Sequence, residues 1–207
     1  MSYINIDITK PKIHTIIASK GSGKTNLVLF LLNKYVLHKS IDSLVIFCGS
    51  ADESYNKYFD EDLICRNYSN EKLENLLTKQ RKLNDDSKLV IVFDDIVGDK
   101  KVNFQYNNSI ESLLTIHRHD NVSLILSVQS QSLGSIFREQ SDYIYLLRPK
   151  FYGQTIENIY NVVGAGIEKK KFVNMLKEIF KVNYTILLYD TTGQENKEYG
   201  SFVTPLM

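Results

Sequence analysis

Short apolar runs alternate with amphipathic stretches along almost the entire chain. Continuous apolar runs predict buried strands, and they occupy positions 12–17, 43–48, 88–93, 122–128, 143–147 and 184–189. Apolar residues at helical spacing predict helices over about 24–38, 71–83, 107–117, 154–162 and 167–180. Weaker strand patterns lie at 63–68 and 199–203. Buried strands separated by helices are typical of a mostly parallel sheet that helices cover on both faces.

The length of the chain predicts one domain. Its 207 residues are enough to bury a core without disulfides or metal ions. No internal repeat, low-complexity tract or proline-rich linker divides the sequence. We therefore predict a single α/β domain over residues 1–207.

A glycine-rich turn joins the first predicted strand to the first predicted helix. It follows the pattern GxxxxGK[ST] over residues 18–25, except that Ala18 replaces the first glycine. Glycines let several backbone N–H groups point at one polyphosphate, which the positive end of the following helix also faces. Lys24 can reach the β and γ phosphates, and the Thr25 hydroxyl can bind Mg²⁺. We predict a triphosphate site formed by Ser19, Lys20, Gly21, Ser22, Gly23, Lys24, Thr25 and Asn26.

Two carboxylates follow the buried strand at 88–93. Asp94 and Asp95 come directly after its apolar residues, and ligands bind at the carboxyl ends of strands in such sheets. We predict that Asp94 holds Mg²⁺ beside Thr25, directly or through a water molecule. We predict that Asp95 orients or deprotonates the attacking water, with a helix cap as the alternative.

The strand at 122–128 is followed by a polar residue, Gln129. If this strand lies between the strands that lead to Lys24 and Asp94, the Gln129 amide faces the γ phosphate and the attacking water. A neutral amide at that point can detect whether the γ phosphate is present. The prediction depends on the order of the three strands in the sheet.

Taken together, these features resemble the FtsK–HerA superfamily of P-loop ATPases, whose fold is RecA-like (ASCE). The resemblance covers roughly residues 12–150 and includes Ile116-His117-Arg118-His119 before a strand. The chain is similar in particular to the poxvirus-like DNA-packaging ATPases of large DNA viruses and virophages, which have an Arg-His pair where this chain has Arg118-His119. It departs from that group at Ala18 and at Asp95, where many relatives have glutamate.

The resemblance implies a Mg²⁺-dependent ATPase that assembles into a homo-oligomeric ring, a pentamer or hexamer, and moves double-stranded DNA. The implied partners are that DNA and viral capsid proteins, and the implied location is the virion or the cytoplasm of the infected host cell. Such rings need an arginine from the neighbouring subunit to stabilise the transferred phosphoryl group. Arg118 matches the family motif, Arg138 follows Gln129 by nine residues, and Arg148 is a third candidate. The predicted catalytic residues are Lys24, Asp95, Gln129, Arg118 and Arg138.

Charge and hydropathy limit the other classes of function. The net charge is only +1, so the surface as a whole does not attract nucleic acid and any DNA contact must be local. No apolar run approaches the length that spans a membrane, and the N-terminus lacks the apolar block of a signal peptide. We expect a soluble intracellular protein without a membrane segment.

Three other functions stay open at this level. A nucleoside or nucleotide kinase suits the length and the N-terminal phosphate loop, but the sequence has no clear arginine-rich lid. A guanine-nucleotide switch needs an Asn-Lys-x-Asp motif, and Asn56-Lys57 and Asn196-Lys197 both lack the aspartate. The third is a scaffold subunit that binds ATP without hydrolysing it. ATP hydrolysis stimulated by double-stranded DNA would distinguish the motor from these alternatives.

Overall fold

Eight strands form one sheet in the computed structural model, which describes residues 6–49, 53–83, 86–96, 107–128, 139–164, 166–192 and 198–203. In chain order, strands β1 to β8 are Ile13–Ile17, Ser43–Cys48, Ile64–Cys65, Leu89–Asp94, Val122–Val128, Tyr143–Leu147, Thr185–Asp190 and Glu198–Val203. Among the described residues, helices α1 to α6 are Lys24–Leu37, Glu53–Asn56, Asn70–Gln80, Asn108–Ile116, Gly153–Val163 and Lys169–Ile179. A 3₁₀ turn at Glu61–Leu63 precedes β3.

The order of the strands across the sheet is β3-β2-β4-β5-β1-β6-β7-β8. The first six strands of this order are parallel to one another, whereas β7 and β8 run antiparallel at one edge. The prediction of a mostly parallel sheet is therefore confirmed. Strand β5 lies between β1 and β4, which is the order that the interpretation of Gln129 requires.

Helices cover both faces of the sheet, as predicted. Neighbouring residues of β1 point to opposite faces, so Ile16 and Ile17 belong to different buried clusters. Helices α1 and α2 pack with Ile16 on one face, mainly through Leu27, Leu31 and Tyr55. Helices α3 to α6 pack with Ile17 on the other face, through buried residues that include Leu73, Leu113, Ile159 and Phe172. Within the described residues, no helix combines the length and the apolar composition that crossing a bilayer requires.

Most predicted elements match the structure within a few residues. The strand predicted at 63–68 is wrong in length, because only Ile64–Cys65 pairs with β2. The short helix Glu53–Asn56 was not predicted, since its polar sequence has no helical periodicity. Strand β7 begins one residue later than predicted, because Tyr184 has a φ of 60° and lies in the left-handed region.

A histidine is completely buried in the middle of this fold. His14 of β1 forms hydrogen bonds with the hydroxyl groups of Tyr145 at 2.9 Å and Tyr35 at 2.8 Å, and its ring stacks on Tyr143. Burial lowers the pKa of His14 to about 3, and the charge of Lys12 contributes to this shift. The folded protein therefore holds His14 in its neutral form.

This burial predicts a pH-dependent loss of stability. In the folded protein the pKa of His14 lies below its ordinary value of 6.5. The stability that depends on neutral His14 is therefore complete above pH 6.5 and is lost as the pH falls towards 3. A change from pH 7 to pH 5 should lower the free energy of unfolding by about 2 kcal/mol through this group. Urea unfolding of the wild type and of His14→Gln at both pH values tests this. An equal loss in the two proteins would contradict it.

Candidate functional site

The glycine-rich turn leaves β1 and enters α1 with backbone conformations that need glycine. Gly21 and Gly23 have φ values of 75° and 92°, in the region that other residues rarely adopt. Ala18, the departure from the usual pattern, is not among the residues with positive φ, so its position tolerates a Cβ atom. Its side chain is buried, and its N–H donates to Val128 O at 3.1 Å, which ties the turn to the end of β5.

The turn also presents donors at the start of α1. Gly23 is the N-cap and makes no side-chain capping hydrogen bond. The Ser22 hydroxyl donates to Ser19 O at 2.6 Å, which tightens the turn. An uncapped helix N-terminus behind a glycine-rich turn favours the binding of an anion such as a phosphate.

Lys24, the first residue of α1, reaches across the carboxyl edge of the sheet to Asp95. Its Nζ donates to Asp95 Oδ1 and forms an ion pair with that carboxylate. The Lys24 side chain is only 7% exposed, whereas Asp95 is 42% exposed. Asp95 also has a φ of 56°, a left-handed conformation that aspartate adopts more readily than most residues. The structure thus brings together two residues that are 71 positions apart in the sequence.

Asp94 is buried directly beneath this ion pair. The Tyr55 hydroxyl donates to Asp94 Oδ2 at 2.7 Å, whereas Asp94 Oδ1 has no hydrogen-bond partner among the described residues. Burial raises the pKa of Asp94 above its ordinary value. Ser127, Tyr55 and the charge of Lys24 oppose this rise, whereas the charge of Asp95 adds to it. Ser127 lies beside Asp94 because the preceding residue, Leu126, pairs with Phe93 across β5 and β4.

The unpartnered oxygen of Asp94 fits a hard cation. A buried carboxylate oxygen without a donor is costly, and Mg²⁺ prefers oxygen ligands of this kind. Thr25, the next residue after Lys24, lies half-buried in the first turn of α1. The Asp94 carboxylate therefore suits the predicted Mg²⁺ site, and the part of the Thr25 hydroxyl in that site stays a prediction.

Two of the predicted site residues lie outside the described residues: Gln129 and Arg138. The strand that precedes Gln129 ends at Val128, opposite Ile17 of β1, and thus at the edge of the sheet that carries the glycine-rich turn. The roles predicted for these two residues stay predictions.

Arg118 lies at the amino ends of the parallel strands, whereas the glycine-rich turn lies at their carboxyl ends. It follows α4 and precedes β5, and its Nη2 donates to Asp142 Oδ1 at 2.9 Å. Asp142 is only 5% exposed and also accepts from the N–H of Ile13, the first residue of β1, at 2.9 Å. The length of β1, about 16 Å, separates this cluster from the glycine-rich turn. Arg118 is therefore remote from Lys24 of its own chain.

Sequence reasoning missed several residues around the site. Tyr55 was missed because it belongs to a four-residue helix in a polar segment. Gly49 was also missed. A Cβ atom at this position would lie only 3.1 Å from Asp95 O, so a larger residue would crowd the backbone of Asp95. Arg148 was considered only as an arginine for a neighbouring subunit, but it lies at the carboxyl end of β6. The strand-end position of Ser127, before Gln129, was the one sequence clue to its place beside Asp94.

A cavity of about 270 Å³ adjoins the glycine-rich turn on the side away from Asp95. One wall consists of Gly21, Ser22, Gly23 and Asn26. The opposite wall comes from the end of β6 and the segment before and into β7, and it includes Arg148, Asn183 and Tyr184.

Comparison with known families gives a match over nearly the entire chain. The model of a family described as "Poxvirus A32 protein" matches residues 8–204. No curated protein has a significant match to the sequence.

Several solved structures share the fold. The genome packaging NTPase B204 from Sulfolobus turreted icosahedral virus 2, in complex with ATP-gammaS, has a TM-score of 0.72 and 20% identity, over 97% of this chain and 100% of that chain. The same protein with AMPPCP has a TM-score of 0.71 and 19% identity, over 94% and 98%. The cytoplasmic domain of the type VII secretion ATPase EccC from Thermomonospora curvata has a TM-score of 0.66 and 14% identity, over 96% of this chain and 26% of that chain.

The hydrogen bond from Tyr55 to Asp94 predicts a loss of stability when it is removed. Tyr55→Phe keeps the ring in its buried position but leaves the carboxylate without its donor. The free energy of unfolding at pH 7 should fall by about 2 kcal/mol, as expected for a buried hydrogen bond to a charged group. Urea unfolding measures this. Tyr58→Phe, at an exposed tyrosine nearby, is the matched control, and equal effects of the two substitutions would contradict the prediction.

Proposed function

Since the chain belongs to the Poxvirus A32 protein family, we propose that it is a DNA-packaging ATPase, which hydrolyses ATP to move viral double-stranded DNA into a capsid. The observation that carries this proposal is the convergence of Lys24, Asp95 and Asp94 at the carboxyl edge of the sheet, next to a glycine-rich turn. The matched protein B204 is a genome packaging NTPase whose structures contain AMPPCP or ATP-gammaS, which supports the same activity here.

Binding of ATP would exchange the partner of Lys24. The Lys24 ammonium is almost buried, so its charge is poorly screened and it needs an anion nearby. In the structure that anion is the Asp95 carboxylate; in the complex with ATP it would be the β and γ phosphates, with the backbone N–H groups of the turn as further donors. The exchange would release Asp95 to accept a hydrogen bond from the attacking water.

The metal completes the charge balance of this site. Thr25 and Asp94 would hold Mg²⁺, and Tyr55 orients the Asp94 carboxylate through its other oxygen. When bound, Mg²⁺ would neutralise charge on the phosphates and so favour the attack of water on the γ phosphorus, with ADP as the leaving group. Gln129, which follows Val128 at this edge, would sense the γ phosphate.

Of the described arginines, Arg66 and Arg148 follow the carboxyl ends of strands. Arg66 follows β3, the outermost strand and four strands away from β1, and its Nη2 lies 3.8 Å from Glu61 Oε1. Arg118 lies at the amino ends of the strands and is 65% exposed, which suits a residue that acts on the site of a neighbouring chain. This arrangement supports a homo-oligomeric ring in which each site lies at an interface, with Arg138 as a second candidate. The partners of the ring would be double-stranded DNA and capsid proteins, in the virion or the cytoplasm of the infected cell.

Removal of the Lys24 side chain should abolish hydrolysis. Lys24→Ala should lower the rate of phosphate release by roughly 100-fold or more, because it removes a cation that stabilises developing phosphate charge. The assay is release of inorganic phosphate from Mg–ATP with and without double-stranded DNA, which should stimulate the wild type. Lys57→Ala, at an exposed lysine outside the site, is the control. Wild-type turnover in Lys24→Ala, or phosphoryl transfer to a nucleoside in place of phosphate release, would contradict the proposal.

Arg118 should act between chains. Arg118→Ala should bind ATP normally and hydrolyse it roughly 1,000-fold more slowly, as expected for an arginine supplied in trans. Rings that contain both Arg118→Ala and Lys24→Ala chains should regain activity, because some interfaces then combine a native Lys24 with a native Arg118.

Coexpression of the two variants with different affinity tags, followed by purification through both tags, yields the mixed rings. Urea unfolding of Arg118→Ala checks that loss of the contact with Asp142 has not unfolded the chain. Folded mixed rings without recovered activity would exclude Arg118 as the arginine that acts in trans.

A further inference from the structure

We propose that the cavity beside the glycine-rich turn holds the nucleoside end of the triphosphate, with the ring of Tyr184 as the surface on which the base stacks. This inference rests on the proposed function, because it concerns the same ATP site. It assigns contacts with the nucleoside to Arg148, Asn183 and Tyr184. Of these, only Arg148 was considered from the sequence, and only for contact with the transferred phosphoryl group.

The position of the cavity follows from the direction in which a triphosphate must lie. Lys24 and Asp95 meet on the side of β1 that faces β5 and β4, so the γ end of the polyphosphate points to that side. The cavity lies on the other side of the turn, against β6 and β7. A nucleotide whose phosphates follow the turn therefore places its nucleoside in this cavity.

The size and the lining of the cavity suit a nucleoside. Its volume of about 270 Å³ is close to the lower limit of roughly 300 Å³ for small-molecule pockets. Gly21, Ser22 and Gly23 form one wall, so the cavity is continuous with the predicted phosphate site. A ligand in it can thus contact both the turn and the residues at the start of β7.

Tyr184 is held in this wall by an unusual backbone conformation. Its φ of 60° lies in the left-handed region, which a bulky residue rarely adopts, and its side chain is 64% exposed. The turn is closed by the Thr185 hydroxyl, which donates to Val182 O at 3.0 Å. The turn connects α6 to β7, and the exposed aromatic ring that it presents is a suitable stacking surface for any base.

A hydrogen bond between Arg148 and Asn183 connects the end of β6 to the turn that contains Tyr184. Arg148 Nη1 donates to Asn183 Oδ1 at 3.2 Å, from the end of β6 to the residue before Tyr184. The guanidinium brings a positive charge to the wall opposite the turn, where it suits the ribose hydroxyls and the α phosphate. Recognition of the base would then depend mainly on stacking, so purine triphosphates should bind more tightly than pyrimidine triphosphates.

The test separates the nucleoside from the phosphates. Dissociation constants of ATPγS and of inorganic tripolyphosphate are measured by calorimetry for the wild type and for four variants. Tyr184→Ala should weaken ATPγS binding by roughly tenfold and leave tripolyphosphate binding unchanged, because a stacked base contributes an effect of this size. Tyr184→Phe should bind like the wild type.

Two further variants exclude a purely structural effect. Tyr184→Gly suits the left-handed backbone, so a tenfold loss that persists in this variant is due to the missing ring and not to strain. Tyr58→Ala removes a tyrosine of similar exposure that does not line the cavity, and it should have no effect.

Unchanged ATPγS binding in Tyr184→Ala and Tyr184→Gly would overturn the inference. An equal loss for tripolyphosphate would also overturn it, because Tyr184 would then act on the shape of the turn. Hydrolysis is measured in a separate assay, so the proposed function and the proposed nucleoside site can be refuted independently of each other. A wild type that never hydrolyses ATP refutes the proposed function, whereas the binding data still decide the place of the nucleoside.

Discussion

The ion pair between Lys24 and Asp95 is the interaction on which the candidate site depends. It joins the first residue of α1 to the residue after β4, across the end of β5, and thereby holds the glycine-rich turn against the carboxyl edge of the sheet. Because Lys24 is almost buried, its ammonium group would be destabilising without an anion beside it. The same constraint makes the site receptive to a polyphosphate, which can replace one carboxylate with a greater negative charge. The neighbouring Asp94 has a buried carboxylate oxygen that no described group donates to, and a cation could bind there.

The carboxyl and amino ends of the parallel strands carry different polar groups, so the two ends of the domain are chemically distinct. The carboxyl edge holds the glycine-rich turn and the carboxylates, while the amino edge holds the cluster of Arg118 and Asp142 around the start of β1. A head-to-tail arrangement of identical chains brings unlike edges together and closes into a ring when the rotation allows it. Asp142, buried and held by the backbone of β1, accepts a hydrogen bond from Nη2 of the exposed Arg118 guanidinium and so fixes its position. In the proposed ring, a neighbouring chain would thus meet an arginine whose position is fixed by its own fold.

Two of the four described non-glycine residues with positive φ border the candidate site. Asp95 and Tyr184 have φ values of 56° and 60°, and they lie on opposite sides of the glycine-rich turn. Tyr184, like Lys39 and Asn121, lies in a turn that connects a helix to a strand, so its conformation has a local explanation. Asp95 instead follows a strand and pairs with Lys24, so its strain suggests that its side chain is needed where it is. The similarity to B204, at 20% identity over 97% of this chain, shows that sequences this different share the fold.

The sequence alone determined the parts of this protein that depend on local order. Strands buried on both faces must be continuously apolar, so the core strands could be predicted within one or two residues, and the glycine-rich turn could be recognised because its residues are adjacent. The pairing of Asp94 with Tyr55 and the wall formed by Arg148, Asn183 and Tyr184 were decided only by the tertiary structure. Tyr55 reaches Asp94 from a four-residue helix without periodicity. Arg148 and Asn183 are 35 positions apart and meet because β6 and β7 are antiparallel neighbours, a pairing that depends on how the whole sheet packs and on no pattern within either segment.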